Sequence, residues 1–99
     1  MNIFNLDRDP EIAAQMHCDK HVVKMILESA QMLSTAHRVL DGDDISNSKG
    51  LYKMTHKNHP CNIWVRKNNE NYEWLWSLYD NLMKEYTYRY NKHHASERL

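Results

Sequence analysis

The first group of residues that could do chemistry is a row of polar side chains in the first third of the chain. Successive members are four, three, four, three and four residues apart, so a helix would place them on one face. They are His17, His21, Lys24, Glu28, Gln31 and Thr35. Imidazole and ammonium groups donate hydrogen bonds to phosphate oxygens or to a carboxylate ligand. The row is a candidate anion-binding face, and an ordinary solvated helix face is the alternative.

A second polar group, residues 55–61, ends where a helix is predicted to begin. Pro60 suits the first position of a helix, and the free backbone N–H groups at that end attract anions. His56, Asn58 and His59 stand directly before this proline. We interpret these three side chains as phosphate or substrate ligands, and a purely structural helix cap is the alternative.

The histidines also raise the question of zinc. His17 and His21 are four residues apart, and His56, His59 or Cys61 would be needed to complete a tetrahedron. This spacing matches no paired Cys/His zinc motif, and the glutamate of a His-Glu-x-x-His helix is missing. We therefore expect no metal or other cofactor, with zinc as a minor alternative. We expect both cysteines to be free thiols.

The third group combines aromatic and basic side chains in the second half of the chain. Trp74 and Tyr88 lie off the apolar stripe of the last predicted helix, and Trp64 precedes that helix. Exposed aromatic rings beside arginine are suited to base stacking, with Arg66 and Arg89 as phosphate ligands. An interface between copies of the chain is the alternative, so a homo-oligomer stays open.

The elements that must position these groups are predicted to be helices. Asp9-Pro10-Glu11 is a helix start, and no glycine or proline follows it until Gly42. Asp19 and Lys20 interrupt the apolar spacing, so we expect a bend or break there. Beyond the break, one apolar stripe predicts a buried face with His37 as a hydrogen-bonded core histidine. The stripe comprises Val23, Ile26, Ala30, Leu33, His37 and Leu40.

The remaining segments are predicted to be loops and two further helices. Residues 41–50 are the expected loop, and residues 51–58 are either a short helix or an ordered loop. A helix from Pro60 to Lys67 or Asn68 precedes the last helix, and residues 91–99 are expected to be a frayed tail. The stripe of the last helix comprises Tyr72, Leu75, Tyr79, Leu82, Met83, Tyr86 and Tyr90.

The predicted fold is an all-α, compact single-domain bundle of three to five helices over residues 1–99. A short extended N-terminal arm through Ile3, Phe4 and Leu6 precedes the bundle. The length of 99 residues, with 41% hydrophobic and 26% charged residues, fits one small globular domain. No apolar run is long enough to span a bilayer and no signal-peptide pattern is present, so we expect a cytoplasmic protein.

Charge is balanced in total but uneven along the chain. Lysine plus arginine and aspartate plus glutamate number 13 each. Residues 1–45 hold 4 basic and 8 acidic residues, whereas residues 46–99 hold 9 basic and 5 acidic residues. The zero total argues against general polyanion binding, and the asymmetry leaves room for a local basic face.

The order of these features resembles the small helical phage pyrimidine-dimer DNA glycosylases of the endonuclease V type. The shared features are the N-terminal arm, the helix start Glu11-Ile12-Ala13-Ala14-Gln15, a basic helix, a glycine-containing loop and a final aromatic helix. The block Asn58-His59-Pro60-Cys61 is similar to small phage proteins and indicates a phage origin. The resemblance, over residues 3–90, implies a DNA glycosylase and lyase activity on DNA in the host cytoplasm.

The resemblance also implies an amine nucleophile and a catalytic glutamate. In that family the nucleophile is an N-terminal amine, freed when methionine is removed before a small residue, whereas Asn2 follows Met1 here. Residues 20–24 contain no glutamate, and Glu28, one turn later, is the nearest carboxylate. An internal lysine beside a histidine is an alternative imine-forming amine. The candidate catalytic residues are therefore Lys20, His21, Lys24 and Glu28.

Two non-catalytic interpretations stay open beside a DNA-acting enzyme. One is a small-nucleotide-binding protein that sequesters a host defence signal, with aromatic rings on the base. Its phosphate ligands would be His17, His21, Lys24, Arg66 and Arg89. The other is a helical module whose aromatic face docks a protein partner.

Overall fold

Helices dominate the computed structural model of the chain, which describes Ile3 and residues 6–98. The elements are α1 (Pro10–Met16), α2 (Asp19–Asp41), α3 (Asp43–Ser48), α4 (Pro60–Lys67), α5 (Asn69–Tyr90) and a 3-10 turn at Ala95–Arg98. No strand occurs among the described residues. The predicted all-α bundle of three to five helices is therefore confirmed.

Helix α1 begins where the sequence predicts and ends before the polar row starts. The carboxylate of Asp9 accepts the N–H of Glu11 at 2.9 Å, and Pro10 occupies the first helical position. His17 and Cys18 then adopt extended backbone conformations, with ψ angles of 138° and 160°. The predicted break near Asp19 is confirmed, and it separates α1 from α2.

The core forms where α5 packs along α1 and α2. Its largest fully buried apolar side chains are Val22, Met25, Ile26, Met32, Val65, Leu75, Leu78 and Leu82. Burying each such side chain contributes about 1.5–3 kcal/mol. The radius of gyration is 12.9 Å, close to the ~13 Å expected for a compact domain of this length.

The buried face of α2 differs from the predicted stripe. Ile26, Ala30 and Leu33 are buried, whereas Val23 and Leu40 are 38% and 66% exposed. Helix α2 packs on α5 and also on α4, so residues outside the predicted stripe are buried as well. These additional positions include Val22, Met25, Ser29, Met32 and Ala36.

A buried arginine organises the segment between α2 and α4. The guanidinium of Arg38 donates to the carbonyls of Tyr52 at 2.6 Å and Leu51 at 2.9 Å, and to Asp43 at 3.0 Å. The segment 41–50, predicted to be a loop, differs from the prediction because residues 43–48 form the short helix α3. Gly42 separates α2 from α3 with a φ of 92°, a conformation that glycine adopts without strain. Residues 51–58 form an ordered loop, one of the two predicted alternatives.

The two ends of the chain pack on the bundle as far as they are described. Ile3 contacts the core, and Phe4 of the predicted arm lies outside the described residues. Ser96 is buried: its carbonyl accepts the hydroxyl hydrogen of Tyr79, and its Oγ lies 2.9 Å from the hydroxyl of Tyr52. The prediction of a frayed tail is therefore wrong for the residues around Ser96, because two distant tyrosines anchor them. No described helix has the length and hydropathy that a bilayer span requires.

Arg89 joins the junction between α1 and α2 to α5. Its guanidinium donates to the carbonyls of Gln15 at 3.1 Å and His17 at 2.8 Å. It also donates to the carboxylates of Asp19 at 3.0 Å and Glu85 at 2.9 Å. Only 18% of this side chain is exposed. One side chain of α5 therefore fixes both the end of α1 and the start of α2.

Two histidines are shielded from solvent by the fold. His17 is 2% exposed, and its Nδ1 lies 2.6 Å from the carbonyl oxygen of Ala13, so Nδ1 carries the hydrogen. The Nδ1 of His94 accepts the N–H of Ser96 at 3.0 Å, and its ring contacts that of Tyr86. Burial lowers the pKa of His17 and the pKa of His94. Both rings are therefore held neutral near pH 7.

We predict that replacing Arg89 with methionine lowers the free energy of unfolding by about 2 kcal/mol, because buried acceptors lose their donor. Urea denaturation followed by circular dichroism measures the change. The control is Lys84→Met, on the same helix, whose lysine is exposed and pairs only with Asp80 in the described part of the chain. The control is expected to stay within about 0.5 kcal/mol of the original chain. Equal stability of the two variants would contradict the role of Arg89.

We also predict that the free energy of unfolding falls as the pH drops below 6.5. The unfolded chain binds protons at His17 and His94 from about that pH downward, whereas the folded chain resists them until a lower pH. The pKa of Asp41 is lowered by its hydrogen bond to His37, and its effect is confined to pH below 3.8. Urea denaturation at pH 7.5, 6.5 and 5.5 measures the slope, which His94→Gln should reduce. A stability that is flat or rising on acidification contradicts the prediction.

Candidate functional site

One continuous helix carries the four predicted catalytic side chains. Lys20, His21, Lys24 and Glu28 all lie within α2, and Lys20, Lys24 and Glu28 follow one another at intervals of four residues. Helix neighbours at this interval have Cβ atoms about 5–6 Å apart. Both lysines are exposed, and His21 and Glu28 are half-buried. We call these four residues the α2 strip; it places amines beside an imidazole and a carboxylate.

His17 does not belong to the α2 strip, which corrects the predicted common face. The chain leaves the helical conformation at His17 and Cys18, so four residues of spacing do not align His17 with His21. Its burial and its hydrogen bond to Ala13 give it a structural role at the end of α1. Its use as a phosphate ligand receives no support from these surroundings.

Thr35, the last member of the predicted row, links α2 to the second polar group. It is buried; its Oγ1 accepts the N–H of Thr55 at 3.2 Å and lies 3.4 Å from the Thr55 carbonyl, to which it donates. Thr35 stands about 10 Å beyond Glu28 along the helix axis, with the half-buried Gln31 between them. Two polar groups that are separate in sequence are therefore neighbours in the fold.

Residues 55–59 form a tight turn that leads into α4, which begins at Pro60. The N–H of His59 donates to the carbonyl of His56 at 2.9 Å, and His56 has a φ of 46°. The Nδ1 of His59 accepts the N–H of Cys61 at 3.1 Å, so His59 caps α4. The structural alternative is therefore realised at His59, while His56 and Asn58 are exposed to solvent.

Asn62 holds this turn from within α4. Its Nδ2 donates to the carbonyl of His56 at 2.7 Å and to that of Thr55 at 3.3 Å. Its Oδ1 is buried and has no hydrogen-bond partner among the described residues. Sequence reasoning missed Asn62, because a single asparagine inside a helix has no distinguishing spacing.

Positive charge is concentrated around the same turn. Residues 45–69 contain five lysines and arginines and no aspartate or glutamate. We call residues 45–69 the basic region. The four lysines are exposed, and Arg66 is half-buried with its Nη1 donating to the carbonyl of Lys57 at 2.8 Å. The cations of the basic region are Lys49, Lys53, Lys57, Arg66 and Lys67. Such a surface attracts the phosphates of a nucleic acid.

The three predicted base-stacking side chains lie in two separate places. The rings of Trp64 and Trp74 meet edge to face with centroids 6.3 Å apart, and the Trp74 Nε1 donates to the carbonyl of Arg8 at 2.8 Å. Tyr88 is 85% exposed and lies about 21 Å from Trp74 along α5. The Trp64 ring borders an open, mostly apolar cavity of about 270 Å³ at the start of α4. Its other lining residues are Ile3, Pro60 and Cys61.

Arg89 differs from its predicted role as a phosphate ligand. All three guanidinium nitrogens already donate to groups at the junction of α1 and α2 or to Glu85. Sequence reasoning placed Arg89 beside the aromatic rings because it could not see that α1 returns to the last turn of α5. The geometry supports a structural role for this arginine.

The described residues do not assemble the zinc tetrahedron considered above. No three His, Cys, Asp or Glu side chains among them converge as metal ligands. His21 is about 21 Å along α2 from Thr35, where the turn with His56 and His59 is attached. Both cysteines, Cys18 and Cys61, are free thiols, as predicted.

A polar cluster at the opposite end of α2 also escaped sequence reasoning. The Nδ1 of His37 lies 2.6 Å from a carboxylate oxygen of Asp41, and its Nε2 lies 2.6 Å from the hydroxyl oxygen of Tyr72. His37 is hydrogen-bonded, as predicted, but its side chain is 32% exposed and only borders the core. The four-residue spacing of His37 and Asp41 could have indicated their hydrogen bond, since such residues are neighbours on a helix. Tyr72 was assigned to an apolar stripe, so a hydrogen bond from its hydroxyl was not expected.

Comparison with known proteins places these features in a family. A family model described as pyrimidine dimer DNA glycosylase matches residues 1–98, which include the α2 strip and the basic region. No curated protein and no solved structure matches the chain. The match confirms the resemblance that the sequence indicates. The chain belongs to the pyrimidine dimer DNA glycosylase family.

Proposed function

We propose that this protein is a DNA glycosylase that binds DNA with its basic region and cleaves the glycosidic bond at a pyrimidine dimer. The observation that carries the proposal is the α2 strip. It places an amine one helical turn from a carboxylate, on an accessible face, in a chain that belongs to this family. Amine attack on the sugar is a chemistry that needs this pair of groups.

Lys24 is the nucleophile that the geometry favours. Glu28 lies one turn from Lys24 and two turns from Lys20, so only Lys24 has the carboxylate as its direct helix neighbour. In the proposed step the unprotonated Lys24 Nζ bonds to C1′ of the deoxyribose while the bond from C1′ to the base breaks. The base leaves with the electron pair and takes up a proton.

Glu28 is proposed to accept a proton from the attacking nitrogen. The nitrogen then forms a double bond to C1′ as the bond from C1′ to the ring oxygen breaks, and that oxygen takes up a proton. The product is an imine between the protein and the opened sugar. His21, three residues before Lys24, is available for a second proton transfer.

The surroundings of α4 support a DNA substrate. His56 and Asn58 are exposed in the basic region, and we propose that they contact backbone phosphates together with its lysines, while His59 caps α4. Trp64 and the cavity that it borders are proposed to receive an unstacked base. DNA as the substrate places this activity in the cytoplasm of the cell, or of the host cell for a phage protein.

DNA is favoured over the sequestration of a small nucleotide. The nucleotide pocket inferred from sequence needs His17 and Arg89 on the phosphates, and the fold uses both for internal hydrogen bonds. The basic region, in contrast, is an extended surface with exposed lysines. Extended positive surfaces are suited to a polymer of phosphates.

We predict that sodium borohydride traps a covalent complex between the protein and a duplex oligonucleotide that contains one thymine dimer. Reduction converts the imine into a stable secondary amine, and denaturing electrophoresis measures the adduct. Lys24→Met is expected to abolish trapping, whereas Lys84→Met, on α5, is the matched control and is expected to retain it. Glu28→Gln is expected to slow adduct formation by about a hundredfold, as for the loss of a general base.

Peptide mapping of the trapped complex by mass spectrometry identifies the amine. A sugar remnant on Lys24 supports the proposal, and a remnant on Lys20 or on the N-terminal amine overturns the assignment while keeping the activity. No adduct with damaged or abasic DNA overturns the activity itself.

We also predict that the double variant His21→Ala, Lys24→Ala binds damaged duplex DNA more weakly and with a smaller salt dependence. Before it gives up its proton for the attack, the Lys24 ammonium is proposed to contact a phosphate, and loss of one such contact reduces the slope of log K against log salt concentration by about one. Fluorescence anisotropy at several salt concentrations measures the slope, and thermal melting verifies that the variant is folded. Lys84→Gln is the control. Unchanged binding by a folded double variant contradicts the assignment of the strip.

A further inference from the structure

In the hydrogen-bonded row Asp41–His37–Tyr72, the position of each hydrogen can be assigned. Asp41 is held as a carboxylate, since its hydrogen bond to His37 lowers its pKa, so the Nδ1 of His37 must donate to it. In the neutral imidazole the Nε2 then has only a lone pair. The hydroxyl of Tyr72, 2.6 Å away, must therefore donate its hydrogen to Nε2. Burial raises the pKa of Tyr72, so the phenol keeps that hydrogen.

Proton uptake by His37 reverses the second hydrogen bond. With a hydrogen on Nε2, His37 donates to the hydroxyl oxygen of Tyr72, and the hydrogen of Tyr72 becomes available to another acceptor. The imidazolium also neutralises the charge of Asp41. The same event therefore produces a new donor and removes a local negative charge.

A cleft of about 330 Å³ adjoins this row between α2, α4 and α5. His37 and Tyr72 form part of its wall. Its other polar lining residues include Asp41, Arg66, Lys67 and Asn69. Lys67 and Asn69 are exposed, whereas Arg66 already donates to a backbone carbonyl. The cleft thus combines an exposed lysine and an exposed amide with a tyrosine whose hydroxyl hydrogen is held by His37.

This cleft lies away from the α2 strip. His37 follows Glu28 by nine residues, about two and a half helical turns, so the two side chains leave α2 on opposite sides. The axial separation adds about 13 Å. A group bound in the cleft is therefore outside the proposed catalytic site.

We propose that the cleft is a proton-coupled binding site for a phosphate group, in which Lys67 supplies charge and Tyr72 donates to a phosphate oxygen once His37 takes up a proton. A tetrahedral oxyanion accepts such donors strongly. The phosphate could belong to a free nucleotide or to a DNA backbone that reaches this side of the protein. The inference does not depend on the proposed glycosylase activity.

The groups around His37 favour this coupling. Asp41 lies on its own helix, and Lys49 after α3 acts electrostatically on Asp41. Helix α5 contributes phenols that carry no charge near neutral pH, and α4 contributes two cations. A bound dianion counteracts those cations and favours the protonated ring. The α4 and α5 groups are Arg66, Lys67, Tyr72 and Tyr79.

Sulfate is the probe for the test, because it does not titrate between pH 5.5 and 8. Long-range ¹H–¹⁵N correlation spectra of the histidine rings report the state of His37, and the Asn69 amide reports occupancy. Sulfate is expected to shift the ring signals of His37 and the amide signal of Asn69. Its affinity is expected to rise on acidification by up to tenfold per pH unit, the limit for uptake of one proton. Without sulfate at pH 8, His37 is expected to carry its hydrogen on Nδ1.

Matched variants separate the contributions. Tyr72→Phe is expected to weaken sulfate binding at pH 6 about tenfold, as for the loss of one hydrogen bond to a charged group. Tyr88→Phe, an exposed tyrosine on the same helix, is the control and leaves it unchanged. Lys67→Gln is expected to weaken binding at every pH while the pH dependence persists. Tyr72→Phe, which changes neither the α2 strip nor a cation of the basic region, should still form the borohydride adduct if the chain is a glycosylase.

Two further ligands identify the source of the phosphate. Shifts at Asn69 with thymidine monophosphate indicate a free nucleotide, and shifts with undamaged duplex DNA indicate the backbone. The proposal is overturned if sulfate leaves His37 unchanged, if affinity is independent of pH, or if Tyr72→Phe binds like the original chain. Binding of sulfate without binding of either phosphate ligand also overturns it.

Discussion

The structure depends on one cation, Arg89, which donates hydrogen bonds to both sides of the break between α1 and α2. The break itself costs hydrogen bonds, because the last carbonyls of α1 have no partner within the helix. Arg89 supplies donors for two of these carbonyls and pairs with Asp19 at the start of α2. The start of α2 is thereby fixed against α5, and this fixes where the residues of the α2 strip lie on the bundle. An arginine that resembles a phosphate ligand in sequence is the residue that positions the proposed catalytic lysine.

Other buried polar groups attach the basic region to this framework. Thr35 and Arg38 bind the backbone of the loop before α4, and Asn62 binds the turn from the other side. Val65 of the region is in the core and Tyr52 and Cys61 pack against it, while these side-chain hydrogen bonds hold the backbone of the loop and the turn. The same arrangement leaves the lysines of the loop in solvent. A backbone held in this way, with exposed cations, is suited to contacts with phosphates, which require position as well as charge.

Helix α2 carries two separate groups of titratable side chains. Near its start, amines neighbour a carboxylate on an accessible face, as a nucleophile and its base require. Near its end, Asp41, His37 and Tyr72 form a chain of hydrogen bonds that joins α2 to α5. The helix places these groups on opposite sides, about 13 Å apart along its axis.

The sequence by itself determined the helical class, the start of α1 and α4, the break before Asp19 and the free cysteines. These are local properties: proline and capping residues act within one turn, and an apolar period reports a helix without reference to the rest of the chain. It also placed His21, Lys24 and Glu28 of the predicted row within one helix, because their spacing of three and four residues is helical. Tertiary structure alone decided the burial of His17 and the tasks of Thr35 and Arg89, since Thr35 binds the loop before α4 and Arg89 binds the junction of α1 and α2. It decided equally that residues 94–96 pack against α2 and α5, and that the Tyr72 hydroxyl lies at hydrogen-bond distance from His37. Long-range partners set burial, and burial decides whether a polar side chain binds a ligand or holds the fold.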